Sequence, residues 1–98
     1  MILYRHLNQG RDPHLYFYRD NKGHEIDLIY KQGSNLIPIE IKSAQTINKD
    51  FFKGLEYFRE LVGPRANESY LVYAGDKSFE IQEATIINYN DVAVITQE

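Results

Sequence analysis

Apolar and polar positions alternate with period two over two neighbouring stretches, and this pattern anchors the rest of the chain. The run from His24 to Lys42, HEIDLIYKQGSNLIPIEIK, holds two apolar-rich segments of strand length on either side of Gln32-Gly33-Ser34-Asn35. Glycine at the head of a two-residue loop is the signature of a tight type II′ hairpin turn. With Gly33 and Ser34 as the loop, Gln32 faces Asn35, Ile29 faces Pro38, Asp27 faces Glu40 and Glu25 faces Lys42. Side chains alternate across a strand, so these residues share one face. Ile26, Leu28, Ile37, Ile39 and Ile41 share the other.

The same periodicity assigns the remaining elements. Ile2, Leu3 and Leu7 fall at helical spacing ahead of Gly10, which predicts a helix over Ile2 to Asn8; it has no N-cap and reads as the tail of a longer helix. Leu15 to Arg19 is aromatic and alternating, hence a strand, and Asp20-Asn21-Lys22-Gly23 is turn chemistry. Counting about Asn21-Lys22 sets Tyr18 against Glu25 and Tyr16 against Asp27, and a glycine bulge at Gly23 would shift that register by one.

Beyond Lys42, Asn48 is a candidate N-cap with Asp50 in the first turn. Phe51, Leu55, Phe58 and Val62 form an apolar helical stripe, which Gly63-Pro64 terminates. Gly54 inside it costs about 1 kcal/mol of helix propensity relative to alanine, which predicts close packing on a sheet. Tyr70 to Ala74 is a continuous apolar run, the pattern of a strand covered on both sides. A strand–helix–strand succession crosses over right-handed and lays that run parallel to the Glu40 strand. Phe79–Ile81 and Ala84–Tyr89 read as short strands, and Asp91–Thr96 as a closing helix capped by Asn90. The expected fold is α/β: an αβββαβ core with a mixed sheet, a C-terminal β-hairpin and a short helix.

Composition narrows the class. A chain of 98 residues, 43% hydrophobic with eight tyrosines, makes one packed domain. There is no cysteine, so disulfides and thiolate metal ligands are excluded, which suits a reducing cytoplasm. No apolar run reaches membrane-spanning length and no leader pattern is visible. There is no glycine-rich phosphate loop, so nucleotide binding of the P-loop kind is excluded. The formal charge of −3 confines any nucleic-acid surface to a local basic patch, because phosphate binding rests on Lys and Arg.

The hairpin carries the candidate chemistry. Opposed side chains in an antiparallel pair sit about 4.5–5.5 Å apart and like charges there repel. Asp27 and Glu40 form such a pair among isoleucines. A divalent cation between them removes the repulsion, and two carboxylates plus water or phosphate oxygens is the usual way Mg²⁺ is held. Lys42 lies one position along the same face, placed to steady a developing negative charge. Solvated strand-end acids with a Glu25–Lys42 ion pair are the plainer alternative.

Asp27 followed by Glu40-Ile41-Lys42 on the next strand resembles the Asp…Glu-x-Lys motif of the PD-(D/E)XK, or restriction-endonuclease-like, superfamily. The wider run, LYFYRDNKGHEIDLIY followed by IPIEIKS, is similar to a domain of unknown function found C-terminal to the ATPase of many prokaryotic AAA+ family proteins. The likeness covers about Leu15 to Tyr89. It implies a restriction-endonuclease-like core, and one domain over 1–98 continuing upstream into a longer helix and an ATPase domain. In many superfamily members that helix supplies a further acid, and none precedes Asp12 here. The resemblance further implies a Mg²⁺- or Mn²⁺-dependent nuclease acting on DNA. Asp27, Glu40 and the Ile41 carbonyl would hold the metal and Lys42 would position or activate the attacking water. Glu25 is either a third ligand or the partner of Lys42. Arg19, Ser43, Lys49 and Lys53 are candidate phosphate contacts. The remaining expected partners are the upstream ATPase domain and a second copy of the chain. The competing class is a non-catalytic module that keeps the nuclease fold and docks on DNA or on the ATPase. His6, His14 and His24 lie far apart in sequence without metal-ligand spacing, and no role follows for them.

Overall fold

The computed structural model describes residues 15–82 and 84–96, together with the backbone of residues 3–5. Among the described residues, seven strands and one α-helix make an α/β fold. The strands are β1 (Leu3–Arg5), β2 (Leu15–Arg19), β3 (Glu25–Gln32), β4 (Asn35–Ile41), β5 (Tyr70–Tyr73), β6 (Phe79–Glu80) and β7 (Thr85–Asn88), and the helix is α1 (Lys53–Val62). They form one mixed sheet in the order β1-β2-β3-β4-β5-β7-β6. Neighbours β1 to β4 pair antiparallel, β4-β5 and β5-β7 pair parallel, and β6 returns antiparallel on β7.

The β3–β4 hairpin has the expected register, from Gln32 opposite Asn35 through Ile29 opposite Pro38 to Leu28 opposite Ile39. Gly33 takes φ 62°, the left-handed backbone that a two-residue hairpin loop demands and glycine adopts without steric cost. The crossover through α1 also comes out as expected, with Glu40 beside Leu71 in a parallel pair.

Three expectations give way. The segment read as the tail of a helix is a strand over Leu3–Arg5, paired with Tyr16–Tyr18. A run this short obeys its neighbour's open edge rather than its own periodicity, and Ile2 and residues 6–8 lie outside the described residues. The β2–β3 register sets Arg19 against Glu25 and Tyr18 against Ile26, not Tyr18 against Glu25. Gly23, at φ 90°, provides the one-residue shift of a glycine bulge. Lastly, the C-terminal turn is a 3₁₀ helix over Tyr89–Thr96, and the cap is not Asn90. The Asn88 side chain accepts from the Asn90 N–H at 2.8 Å.

A second irregularity shapes the centre of the sheet. Tyr16 pairs with Ile29 and Tyr18 with Ile26, so Asp27 and Leu28 together stand opposite Phe17 alone. Two residues against one is a β-bulge, which bends the strand and redirects a side chain. Ile26 therefore packs with Ile29, Leu36, Leu55, Phe58 and Leu71 on the helix side. Leu28, Ile37 and Ile39 pack on the other side with Val72, Ile87 and Ile95. The expected common face for Ile26 and Leu28 is broken at this bulge.

The helix completes the scaffold. The Asn48 side chain accepts from the Asp50 N–H at 2.9 Å and opens a 3₁₀ turn over Lys49–Phe52, which runs into α1. Phe52, Leu55 and Phe58 are buried from this face, each worth about 1.5–3 kcal/mol relative to exposure. Gly63 ends the helix at φ 65°. Gly54 sits where α1 crosses the bulged strand: a Cβ there would lie 3.1 Å from the Glu25 carbonyl oxygen and 3.8 Å from the Glu40 carboxyl carbon. This close approach brings the helix down over the acids.

Candidate functional site

The β3–β4 ladder stops at Leu28 and Ile39, and beyond that point side chains take over its hydrogen bonds. The Asp27 N–H donates to Glu40 Oε1 at 3.2 Å, and the Ile41 N–H donates to Asp27 Oδ2 at 2.9 Å. Each acid thus binds the backbone of the other's strand. At this bulge the Asp27 N–H finds its acceptor in a side chain rather than in the strand ladder. Lys42 is fixed by its own N–H on the Val72 carbonyl at 2.8 Å. Its Nζ lies 3.7 Å from Glu40 Oε2 and 5.3 Å from the centre of the Phe51 ring.

Glu40 is 7% exposed and is the only buried acid among the described residues. Burial pushes its carboxyl up to about 7, and the negative charge of Asp27 adds to this. The Asp27 N–H and the Lys42 ammonium offset part of the rise. A carboxylate displaced this way, with a second acid beside it, is a site that gains from a cation.

Asp27, Glu40 and Lys42 line one cleft of about 410 Å³, with Gly23, His24, Glu25, Asp50, Phe51, Lys53, Gly54 and Tyr57. This volume is within the range of small-molecule sites. Four acids against two lysines leave the cleft negative, which suits a cation. Among the described residues no group of three or more His, Asp or Glu side chains gathers around one point. A cation bound here would have Asp27 and Glu40 as its side-chain ligands, with the other positions open to the Ile41 carbonyl, water or ligand oxygens. That composition fits Mg²⁺, which keeps several waters.

Glu25 lines the same cleft but is not the ion-pair partner of Lys42. The shifted β2–β3 register puts it beside Arg19, with Arg19 Nε 3.6 Å from Glu25 Oε1. Of the four candidate phosphate contacts, Lys53 lines the cleft and also pairs with Asp50 at 3.3 Å. Arg19 lines a smaller recess that shares Asp27 and Glu25. Ser43 and Lys49 are exposed and line neither hollow.

One cluster at the cleft's edge was not anticipated. Asp20 opens the β2–β3 turn, where its Oδ1 accepts from the Lys22 and His24 N–H groups. Its Oδ2 accepts from the Tyr18 and Tyr57 hydroxyls at 3.0 Å each and meets His24 Nδ1 at 3.1 Å. The His24 ring stacks on Tyr57 with 3.6 Å between centroids and 3° between planes. Burial alone would raise the Asp20 carboxyl, but the four hydrogen bonds outweigh it and hold the group far below the usual carboxylate range. Burial, with the same bonds, raises the Tyr18 phenol. The sequence does hold a signal for the turn: aspartate two and four residues before the N–H groups it caps. Nothing in it brings Tyr57 to that turn.

Residues 1–92 match the family described as Domain of unknown function (DUF4143). The chain belongs to that family. No curated protein and no solved structure matches it. The DUF4143 match spans all of the hairpin, the helix and the cleft between them.

Proposed function

We propose that this DUF4143 domain is a Mg²⁺- or Mn²⁺-dependent phosphodiesterase acting on DNA, with Asp27, Glu40 and Lys42 as its working residues. The supporting observation is the meeting of all three in one cleft, with Glu40 buried and its carboxyl raised beside Asp27. The Asp…Glu-x-Lys order on a hairpin resembles that of the PD-(D/E)XK superfamily, and the observed parallel strand after a crossover helix agrees with such a core.

Asp27 and Glu40 would hold the cation, beside the Ile41 peptide whose N–H already binds Asp27. The bound ion would supply charge for a phosphoryl oxygen and a water of lowered pKa. The protein's part is positional. The bulge and the reciprocal backbone bonds fix both carboxylates, so little reorganisation is needed when charge develops. Lys42, held by its own N–H and set over Phe51, stabilises negative charge on the phosphate as water attacks and the P–O bond to the leaving oxygen breaks. Lys53 at the rim contacts a neighbouring phosphate.

A second reading draws on the missing third acid: among the described residues no three acids or histidines gather around one point. In that reading the domain is a non-catalytic module carrying DNA or protein contacts for an ATPase domain in the same polypeptide. Incubating the chain with plasmid and with single- and double-stranded oligonucleotides in Mg²⁺ or Mn²⁺ separates the two. The nuclease reading expects metal-dependent cleavage lost in Asp27→Asn, Glu40→Gln and Lys42→Ala. Absence of cleavage by the full-length protein on every substrate favours the module.

A further inference from the structure

His24 and Asp20 stand outside the carboxylate site, yet His24 opens on the same cleft. Its Nδ1 is 3.1 Å from Asp20 Oδ2. Asp20 is ionised, accepting from two tyrosine hydroxyls and two backbone N–H groups, so it has no proton to give. The proton in that bond therefore sits on Nδ1, and the neighbour's demand fixes the tautomer. Stacking on Tyr57 fixes the ring plane. Among the described residues Nε2 has no hydrogen-bond partner, and the ring is over a third exposed. Carboxylate, oriented imidazole and open Nε2 is an arrangement that presents one ring atom to a ligand. That ligand is not the cation of Asp27 and Glu40, because His24 does not gather with them closely enough to share a metal.

We propose that His24 is a substrate-contacting residue of this cleft, its Nε2 hydrogen-bonding a phosphate oxygen of the bound nucleic acid, with Asp20 and Tyr57 as positioning residues. The inference rests on the phosphodiesterase reading and adds a second point of contact to it. With Nδ1–H committed to Asp20, a phosphate at Nε2 is met by the imidazolium, which shares its two N–H groups between carboxylate and phosphate. The charged and titratable groups around the ring are Asp20 on its own turn, Tyr18 on β2 and Tyr57 on α1. Across the cleft are Glu25, Asp27, Glu40, Lys42, Asp50 and Lys53. The phosphate would then bridge from the carboxylate pair to the β2–β3 turn, with Lys53 on the open side.

The test is a titration of the full chain with thymidine 3′,5′-bisphosphate in Mg²⁺, followed by long-range ¹H–¹⁵N spectra of the imidazole nitrogens and by calorimetry. His24 is assigned by its loss in His24→Gln. The bisphosphate should shift the Nε2 resonance from its position in the free protein. His24→Gln should weaken binding about 5- to 10-fold, since a charge-assisted hydrogen bond is exchanged for a neutral one that the amide can still donate. Asp20→Asn should weaken it less and reduce the Nε2 shift. The unmodified protein's spectra answer the question even where a variant fails to fold. If the bisphosphate binds and Asp27→Asn prevents it, yet Nε2 does not move and His24→Gln binds as before, His24 is a packing residue and the cleft reading stands. If neither Mg²⁺ nor the bisphosphate binds, both readings fall together.

Discussion

Asp27 and Glu40 are tied to each other's strands: the Asp27 N–H donates to Glu40 Oε1 at 3.2 Å while the Asp27 carboxylate accepts from Ile41, the residue after Glu40. The pair closes the end of the hairpin where the backbone ladder has opened. Two like charges held there are destabilising in an empty site, and their persistence is what ties the fold's stability to the chemistry proposed for the cleft.

This gives a pH dependence with a definite sign. Glu40 has its carboxyl raised from 4.5 to about 7, so the folded protein binds this proton more tightly than the unfolded chain. Stability contributed by the protonated form is fully present below pH 4.5 and is lost as pH rises through 7. The loss is on the order of 3 kcal/mol. Chemical denaturation of the metal-free protein between pH 5 and 8 should show it, and Glu40→Gln should flatten the curve. A stability that rises over that range would contradict the burial and charge argument.

Gly54→Ala separates helix propensity from close approach. Alanine gains about 1 kcal/mol in a free helix, but its Cβ would meet the Glu25 backbone oxygen at 3.1 Å. Backbone of the bulged strand cannot step aside as a flexible side chain can, so the helix lifts and the core loosens. Overpacking of this kind costs about 1–3 kcal/mol. The melting temperature should fall despite the better helix former, and metal affinity should fall with it because Glu40 lies next to the contact. A rise in melting temperature would mean that the helix does not need to sit this low.

Tyr18 and Tyr57 both donate to Asp20, and Tyr18 is buried. Tyr18→Phe should cost about 1 kcal/mol, the net value of one hydrogen bond. Asp20→Ala should be more destabilising than Tyr18→Phe, since it leaves two hydroxyls and two N–H groups without their acceptor. Glu25→Ala, which removes an exposed ion pair with Arg19, should be nearly silent. Thermal melts should rank Asp20→Ala, Tyr18→Phe and Glu25→Ala from most to least destabilised, and equal effects of Asp20→Ala and Glu25→Ala would show that the turn cluster does not hold the hairpin.

How much of this was legible depends on which physical signal fixed each residue. The β3–β4 pairing was, because Gly33 marks the loop and the register counts outward from it without ambiguity. The helix was, through Asn48 and the Phe51–Leu55–Phe58–Val62 stripe. The bulge was not: Ile26, Leu28 and Tyr30 alternate as an unbroken strand would, and only pairing with Phe17 shows that Asp27 and Leu28 share one partner. The register set by the turn at Gly23 puts Glu25 against Arg19, and so the expected Glu25–Lys42 pair does not form. The edge strand Leu3–Arg5 was lost for a related reason, its partner lying across a segment without local pattern. Asp20, His24 and Tyr57 were missed because their meeting joins a turn to a helix 33 residues further on, a tertiary contact that no spacing rule contains.

Titration of the chain with Mg²⁺ by calorimetry, at pH 7.5 where Glu40 is mostly ionised, tests the central claim most directly. The account predicts a site of millimolar affinity or tighter, abolished in Asp27→Asn and in Glu40→Gln. Lys42→Ala should retain the metal, bound somewhat more tightly for loss of a neighbouring positive charge, while its cleavage rate drops about 10²- to 10³-fold. Absence of Mg²⁺ binding, or binding that survives both carboxylate substitutions, would contradict it.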